Sequence, residues 1–277
     1  MTLAAAYIDK QVAAALAEDI GTGDASAELI DSQRWARARL ISRDPGLLAG
    51  QAWAESAFRQ LDERCQLNWT VAEGESFVAN TELAQIAGPA HALLTAERTA
   101  LNFLQLLSGT ATITQRYVQA VAGTGCRILD TRKTVPGLRL DQKYAVRVGG
   151  GCNHRIGLHD LVMLKENHLA ASGGITEAVS AARERWPTLQ IEVETETLEQ
   201  VAEAVEAGAH RIMLDNFDLA TTQQAVELAG GRAVLEASGG ITLDTIRAVA
   251  ETGVDEISVG ELTKSVTPLD LSLRFEL

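Results

Sequence analysis

The sequence predicts an α/β protein in which an α+β layer precedes a (β/α) barrel, and three observations support this prediction. Mixed strand and helix patterns without a repeating unit fill the first part of the chain. Short apolar runs alternate with helical patterns in the second half, as in βα units. These runs end in polar residues or glycines, at the position where a barrel carries its active site. The chain is therefore a candidate enzyme.

The first part begins with an Ala-rich amphipathic helix over residues 4–17, which ends at a glycine-punctuated loop. A long helix over 94–107 is predicted to break at the Ser108-Gly109 pair, before a second helix over 112–121. The other predicted elements of this part are strands at 37–42, 65–71 and 76–78 and a helix over 50–60.

The second part has a βα rhythm, because Glu194, Asp215, Ser238 and Gly260 follow one another at intervals of about 22 residues. Helices are predicted between them, each followed by a glycine that stops it. The tail 269–277 alternates like a strand. The predicted strands are 127–130, 161–164, 191–193, 212–214 and 234–237, and the predicted domains are 1–108 (joined by the tail 268–277) and 109–267.

Composition excludes several classes of function. The formal net charge of −13 argues against general binding of nucleic acid or an anionic membrane, since phosphate contacts need clustered cations. Three scattered cysteines indicate neither a disulfide framework nor a zinc ribbon, which favours a reducing compartment. With no signal-peptide pattern and no apolar run near the roughly 18 residues of a membrane helix, we expect a cytoplasmic protein.

Cationic residues are concentrated between positions 132 and 168. Arg132 and Lys133 follow one predicted strand and Lys165 follows another, so their side chains can converge at the barrel mouth. Arginine binds carboxylate or phosphate through a bidentate fork, while lysine supplies a point charge. The group suits a polyanionic substrate, and a solvated basic face is the alternative. Its members are Arg132, Lys133, Arg139, Lys143, Arg147, Arg155 and Lys165, with His154 and His168.

Two carboxylates, Glu194 and Asp215, end consecutive predicted strands and should be neighbours. Among cations, such a pair can hold Mg²⁺, bind ribose hydroxyls or stabilise a developing positive charge. The alternative is that Glu194 is one of several surface acids. Strand alternation instead puts Glu192, Glu194 and Glu196 on one inner face, which suggests a site near the barrel mouth.

Glycine loops after the last two predicted strands, at 238–240 and 259–260, fit phosphate binding by backbone amides. A metal cluster is the other chemistry that the second half could suggest. The spacing of its candidate ligands fits no common zinc site, so hydrogen bonding or anion contact is favoured. These candidates are His154, His159, Asp160 and His168.

Taken together, these residues resemble the quinolinate phosphoribosyltransferase family over nearly the whole chain. The most specific match is the central block that contains the Thr131-Arg132-Lys133 motif. Two departures matter little: Gly240 stands where many members have Asn, and Glu261 where Ala is common. The side chain of Glu261 is expected to point away from phosphate. The matching segments are 18–24, 97–102, 130–134, 143–146, 153–155, 165–168, 213–217, 238–240 and 257–260.

The resemblance implies a fold and a reaction. The fold would be an N-terminal α/β sandwich domain followed by an open, incomplete (β/α) barrel. The reaction would transfer phosphoribosyl from phosphoribosyl pyrophosphate to quinolinate with decarboxylation. The products would be nicotinate mononucleotide, pyrophosphate and CO₂, in NAD biosynthesis, with Mg²⁺ required. The resemblance also implies a homodimer, with higher oligomers left open, in which Arg98 reaches the partner subunit's pocket.

The family pattern assigns roles to residues of this chain. Lys133, Lys165, Glu194 and Asp215 would be catalytic, and Glu194 and Asp215 would lie on the ribose and Mg²⁺ side, with direct or indirect metal contact. Lys133 would also help to hold the substrate or pyrophosphate. The residues that would bind substrate are Arg98, Thr131, Arg132, Lys133, His154, Arg155, Lys165, Glu194, Asp215, Ser238, Gly239, Gly240, Val259 and Gly260.

Other functions stay open from the sequence. A related molybdenum-transport-associated paralogue shares the Thr-Arg-Lys and glycine-rich segments but lacks the match at 165–168. Nicotinate phosphoribosyltransferase would need fewer cations, because its substrate has one carboxylate. An aldolase that uses Lys165 as a Schiff-base amine belongs to a different reaction class. Alone, Arg98 beside Glu97 also reads as a surface ion pair. A non-catalytic binding barrel fits the polar strand ends least well.

Overall fold

Residues 3–31 and 33–276 are described by the computed structural model, which divides into two units. The first unit comprises Met1–Ile113, Asp141–Gly150 and Ser265–Leu277, and the second comprises Thr114–Leu140 and Gly151–Lys264. Leu277, the last residue of the predicted tail strand, lies outside the described residues.

The helices and strands are numbered separately along the chain. The helices are α1 Ala5–Ile20, α2 Gln51–Leu61, α3 Ala90–Ala120, α4 Arg139–Val148, α5 Glu166–Ser172, α6 Ile175–Arg185, α7 Leu198–Glu206, α8 Leu219–Ala229, α9 Ile246–Ala250 and α10 Glu261–Lys264. The strands are β1 Trp35–Ser42, β2 Gly46–Leu47, β3 Gln66–Trp69, β4 Ser76–Phe77, β5 Thr81–Pro89, β6 Arg127–Leu129, β7 Val162–Leu164, β8 Ile191–Thr195, β9 Arg211–Asp215, β10 Val234–Ser238, β11 Glu256–Ser258 and β12 Leu271–Glu276.

The first unit contains a four-stranded antiparallel sheet in the order β12-β1-β5-β3. Along β1 every second residue is buried, so Ala36, Ala38 and Leu40 point into the core while Arg37 and Arg39 face outward. The tail strand β12 adds to the free edge of β1, with Leu40 opposite Leu273. Helix α2 contributes Trp53 and Phe58 to the same core.

The predicted break at the Ser108-Gly109 pair is wrong, because α3 runs without interruption from Ala90 to Ala120. The Ser108 hydroxyl accepts a hydrogen bond from the Ala49 N–H at 3.0 Å. Gly109 lies directly against the backbone of Thr267, where a side chain would overlap the carbonyl oxygen. The two small residues therefore permit close packing on the helix surface and do not end the helix.

The second unit is built on a six-stranded parallel sheet in the order β6-β11-β10-β9-β8-β7. The predicted βα rhythm is confirmed, and the sheet is open, with β6 and β7 as its edge strands in the part of the chain that the structure describes. Helices alternate with the strands, and side-chain oxygens of Thr197 and Asp218 cap the starts of α7 and α8. The mixed first unit and open second sheet match the predicted fold class.

Two further observations bear on the sequence predictions. The domain boundary predicted between 108 and 109 falls inside α3, and the segment Asp141–Gly150, predicted in the second domain, belongs to the first unit. None of the helices within residues 3–31 and 33–276 is long and apolar enough to cross a membrane.

Candidate active site

The polar residues predicted to form a site follow the strands of one parallel sheet. Because parallel strands all point the same way, their carboxyl ends share one edge of the sheet. This edge of the second unit therefore carries most of the predicted residues. They are Thr131, Arg132 and Lys133 after β6, Lys165 after β7, Glu194 and Asp215 at the ends of β8 and β9, Ser238, Gly239 and Gly240 at β10, and Val259 and Gly260 after β11.

Lys165 and Glu194 form an ion pair across β7 and β8. Leu164 lies opposite Val193 in the strand register, so the next residue on each strand is a member of the pair. Both side chains remain partly exposed, and a substrate can therefore reach them. The ammonium group neutralises one carboxylate at an edge that carries several more acids.

Asp215 and Ser238 lie opposite each other at the ends of β9 and β10. Asn216 ties them together, because its N–H donates to the Ser238 carbonyl at 2.9 Å and its Nδ2 donates to Asp215 Oδ2 at 3.1 Å. Asn216 has a φ of 58°, an uncommon left-handed conformation for a residue with a side chain. Gly239 packs so closely on the Asn216 amide that a Cβ would overlap it, and its φ of 103° also requires glycine.

The loop after β11 packs against the Thr131-Arg132-Lys133 turn. The Lys133 N–H donates to Thr131 Oγ1 at 3.0 Å, and the Thr263 hydroxyl donates to the Lys133 carbonyl at 2.8 Å. A Cβ on Gly260 would lie 3.3 Å from Lys133 Cδ, so glycine leaves room for the lysine stem. The Glu261 carboxylate accepts a hydrogen bond from the buried Tyr117 hydroxyl.

The guanidinium groups of Arg132 and Arg155 lie near each other at the carboxyl ends of the strands. Arg132 Nε is buried without a hydrogen-bond partner among the described residues. Burial, followed by the positive charge of Arg132, lowers the pKa of Arg155. A buried donor without an acceptor and two neighbouring like charges are both unfavourable unless an anion binds between them. The pair therefore suits a carboxylate or phosphate ligand.

His154 directs its ring into the interior of the sheet. Its Nε2 lies 3.0 Å from a carboxylate oxygen of Glu192 and 3.1 Å from one of Glu236. Its Nδ1 accepts a hydrogen bond from the Arg155 N–H at 2.6 Å. The imidazole thus contacts groups of the protein through both ring nitrogens, and the predicted contact between His154 and substrate stays a prediction.

Arg211 completes a buried ionic cluster below the edge. Its Nη2 lies 3.0 Å from Glu236 and also contacts Glu256, which Arg127 approaches from the other side at 2.5 Å. Ligand atoms of His154, Glu192 and Glu236 lie within 4.8 Å of one another, a spacing that could hold a metal ion. The Arg211 guanidinium already pairs with both carboxylates, so we assign the group as an ionic cluster.

Several other residues singled out from the sequence are placed elsewhere or have structural roles. Arg98 is exposed on α3 in the first unit, and Lys143 is buried on α4 in the same unit. His168 caps α5, since its Nδ1 accepts from the Lys165 N–H at 3.1 Å. Asp160 accepts hydrogen bonds from the backbone N–H groups of two nearby loop residues. Among these four, only Arg98 keeps a predicted role in binding substrate.

The cluster residues Arg211, Glu236 and Glu256 were missed by the sequence prediction. Each is a charged residue inside a short apolar strand, with its neighbours on the strand mostly buried. Each lies an even number of residues before the polar end of its strand, so strand alternation puts it on the same face as that end. This spacing is the signal from which the cluster could have been predicted.

Sequence comparison identifies the family. The profile of the quinolinate phosphoribosyl transferase C-terminal domain matches residues 110–274, and that of the N-terminal domain matches residues 24–108. The chain belongs to the quinolinate phosphoribosyltransferase family. The probable nicotinate-nucleotide pyrophosphorylase (carboxylating) of Bacillus subtilis (strain 168) is 45% identical over 257 residues, which cover 92% of this chain and 89% of that protein.

Solved structures agree with this membership. The nicotinate-nucleotide pyrophosphorylase of Francisella tularensis superposes with a TM-score of 0.96 at 43% identity and covers 99% of this chain and 98% of its own. Human nicotinic acid phosphoribosyltransferase has a TM-score of 0.64 at 15% identity, covering 97% of this chain and 74% of its own. That likeness shows a shared fold and no more.

Proposed function

We propose that this chain transfers phosphoribosyl from phosphoribosyl pyrophosphate to the ring nitrogen of quinolinate and releases CO₂, pyrophosphate and nicotinate mononucleotide. Family membership supports this reaction. The observation that carries it is the set of groups at the carboxyl ends of the six parallel strands. Cations follow β6 and β7, carboxylates end β8 and β9, and glycine loops follow β10 and β11. A dicarboxylate, a ribose and a phosphate need these three environments in one site.

The quinolinate carboxylates would bind the cations. Arg132 Nε is buried and has no hydrogen-bond partner among the described residues, so it would donate to one carboxylate. That carboxylate would lie in the space that Arg132 shares with Arg155. Lys165 would hold the other carboxylate by exchanging part of its contact with Glu194. Both groups are held by sheet strands or by loops bonded to them, so the pyridine nitrogen would be presented in a fixed direction.

At the reacting carbon, a bond to the quinolinate nitrogen forms as the bond to the pyrophosphate oxygen breaks. Positive charge develops on the ribose during this step, and the carboxylates of Glu194 and Asp215 would stabilise it. Lys133 would stabilise the negative charge on pyrophosphate. Loss of CO₂ then leaves an electron pair on the ring carbon, which takes up a proton.

Glu194 and Asp215 also offer the carboxylate oxygens that Mg²⁺ prefers, on neighbouring strands. When bound, Mg²⁺ would neutralise the departing pyrophosphate. The amides of Ser238, Gly239 and Gly240, with those of Val259 and Gly260, would bind the 5′-phosphate. We also propose a cytoplasmic homodimer in which the exposed Arg98 enters the partner subunit's pocket.

The test is release of CO₂ from carboxyl-labelled quinolinate by the purified chain with phosphoribosyl pyrophosphate and Mg²⁺. We expect CO₂ to require all three, and nicotinate in place of quinolinate to give no mononucleotide. Turnover of nicotinate alone would refute the assignment of substrate. Reductive trapping of Lys165 with a carbonyl compound would instead favour an aldolase, although the contact of Lys165 with Glu194 makes the amine a poor nucleophile.

A further inference from the structure

The segment that carries Arg155 is attached to the edge strand β6. The Cys152 N–H donates to the Ile128 carbonyl at 2.7 Å, and the Asp130 N–H donates to the Cys152 carbonyl at 3.1 Å. The buried Asp130 carboxylate then accepts from Asn153 Nδ2 at 2.6 Å and from the His154 N–H at 2.9 Å. The backbone is therefore fixed as far as His154, immediately before Arg155.

The His154 side chain anchors the segment at its next point. Carboxylate oxygens of Glu192 on β8 and Glu236 on β10 lie within ion-pair distance of Nε2, and both glutamates are 0% exposed. These strands flank β9, and β8 is separated from β6 by β11, β10 and β9, so the imidazole reaches across the inside of the sheet. On its other side the ring accepts the Arg155 N–H. One imidazole thus joins Arg155 to two buried carboxylates.

The charges of the cluster explain why this link persists. Three carboxylates, of Glu192, Glu236 and Glu256, face two guanidinium groups, of Arg211 and Arg127. Neutrality in the buried cluster needs one further proton in the group of His154 and its two glutamates. Because Nδ1 accepts the Arg155 N–H, the ring carries a single proton, on Nε2, and the further proton lies on a glutamate. Burial raises the pKa of Glu192.

The cluster also lies directly beneath the proposed site. Glu192 stands two residues before Glu194 on β8, and Glu236 stands two residues before Ser238 on β10. Residues two apart on a strand share a face, so each glutamate lies one layer below a residue of the site. The cluster is thus close enough to set the position of a substrate-binding group without touching substrate.

We propose that Glu192 and Glu236 are positioning residues, which act through His154 to hold Arg155 where it binds the quinolinate carboxylates. The proposal rests on the proposed function, because Arg155 has this role only if quinolinate is the substrate. It assigns substrate binding and the orientation of the binding residue to different groups. Contacts with substrate come from the edge of the sheet, and the orientation of Arg155 comes from the carboxylates below.

The test compares Glu236→Gln with Glu256→Gln. The two residues are paired on neighbouring strands, both are buried, and both contact Arg211. Each variant removes one negative charge from the same cluster, but only Glu236 contacts His154. We expect Glu236→Gln to raise KM for quinolinate about tenfold, since a charged contact that positions His154 is weakened. KM for phosphoribosyl pyrophosphate should match that of Glu256→Gln.

The readouts are both KM values, kcat and the melting temperature of each purified chain. An equal rise in KM for quinolinate in both variants would overturn the proposal, and so would an equal rise for both substrates in Glu236→Gln. If Glu236→Gln does not fold, Glu192→Gln provides the same test, because Glu192 is the second carboxylate on His154. A wild-type chain that neither binds nor turns over quinolinate would refute the proposed function itself, which distinguishes the two failures.

Discussion

Lys165 and Glu194 are bonded to each other across β7 and β8, at the boundary between the cationic and the acidic parts of the sheet edge. The pair connects the two halves of the proposed reaction. Lys165 would face the quinolinate carboxylate, while Glu194 would face the ribose. Binding of quinolinate would draw Lys165 toward the substrate and leave the Glu194 carboxylate available to the ribose.

Replacement of Lys165 by alanine should therefore lower kcat/KM by about 100-fold or more, because one charge that binds substrate is lost and another is left unbalanced. The measurement is quinolinate-dependent CO₂ release. Lys10→Ala, which removes an exposed lysine on α1, is the matched control and should keep wild-type activity. Turnover of Lys165→Ala at the rate of this control would show that the site is misassigned.

The contact between Gly239 and Asn216 makes a prediction for the phosphate loop. Gly239→Ala should raise KM for phosphoribosyl pyrophosphate about tenfold, because the new methyl displaces the Asn216 amide and with it the Asp215 carboxylate. Gly231→Ala is the control, since Gly231 has a similarly positive φ but open space around it. The control should lose about 1 kcal/mol of stability from backbone strain and keep its KM. Equal KM values would contradict the prediction.

Arg98 provides a test of the proposed dimer. Neither Arg98→Ala nor Lys165→Ala should be active alone, but a mixed dimer of the two should regain one complete site. Random mixing should restore about a quarter of wild-type sites, as expected for a two-fold dimer with shared pockets. Distinct affinity tags on the two chains allow the mixed dimer to be purified before the assay. An inactive mixed dimer would show that Arg98 acts within its own chain or not at all.

The buried cluster predicts how stability depends on pH. Burial lowers the pKa of His154, but Glu192 and Glu236 more than offset this and raise it to about 9. The folded group of these three residues therefore keeps a proton that an unfolded histidine loses near its ordinary pKa of 6.5. A raised pKa contributes stability that is complete below about pH 6.5 and is lost as pH rises through about 9. The melting temperature should fall over this range.

His154→Asn is the control for this pH dependence, because it removes the titrating ring and should flatten the change between about pH 6.5 and 9. The measurement is thermal unfolding by circular dichroism in buffers of constant ionic strength. A decline of the same size in His154→Asn would assign the pH dependence to other groups.

The positions of the parallel strands along the sequence could be predicted because each apolar run ends in a recognisable chemical group. Lys165, Asp215 and Ser238 are found where the apolar runs predict them. Strand pairing then brings their ends to one edge without further information. The alternation of Leu271, Leu273 and Phe275 likewise predicts the strand found as β12. These features depend on local patterns of two to four residues.

Features that depend on distant contacts could not be predicted. The Ser108-Gly109 pair reads as a helix end until the backbone of Thr267 is seen beside it. A carboxylate at Glu236 is unexpected inside an apolar strand, and only the structure shows that Arg211 and His154 compensate its charge. In both cases the partner is remote in sequence, and the residue type alone favours the wrong interpretation. Likewise, α4 follows β6 in the sequence and is therefore predicted in the second domain, whereas the contacts of Asp141–Gly150 group it with the first unit.

The first unit is assembled from three separate stretches of the chain, the last of which contains β12. During synthesis, β1 therefore leaves the ribosome long before the strand that covers its edge. An exposed strand edge is open to pairing with other chains, so β1 remains open to such pairing until β12 has been synthesised. An N-terminal fragment ending before α4 would lack both late pieces, and synthesis arrested between β11 and β12 would leave β1 uncovered.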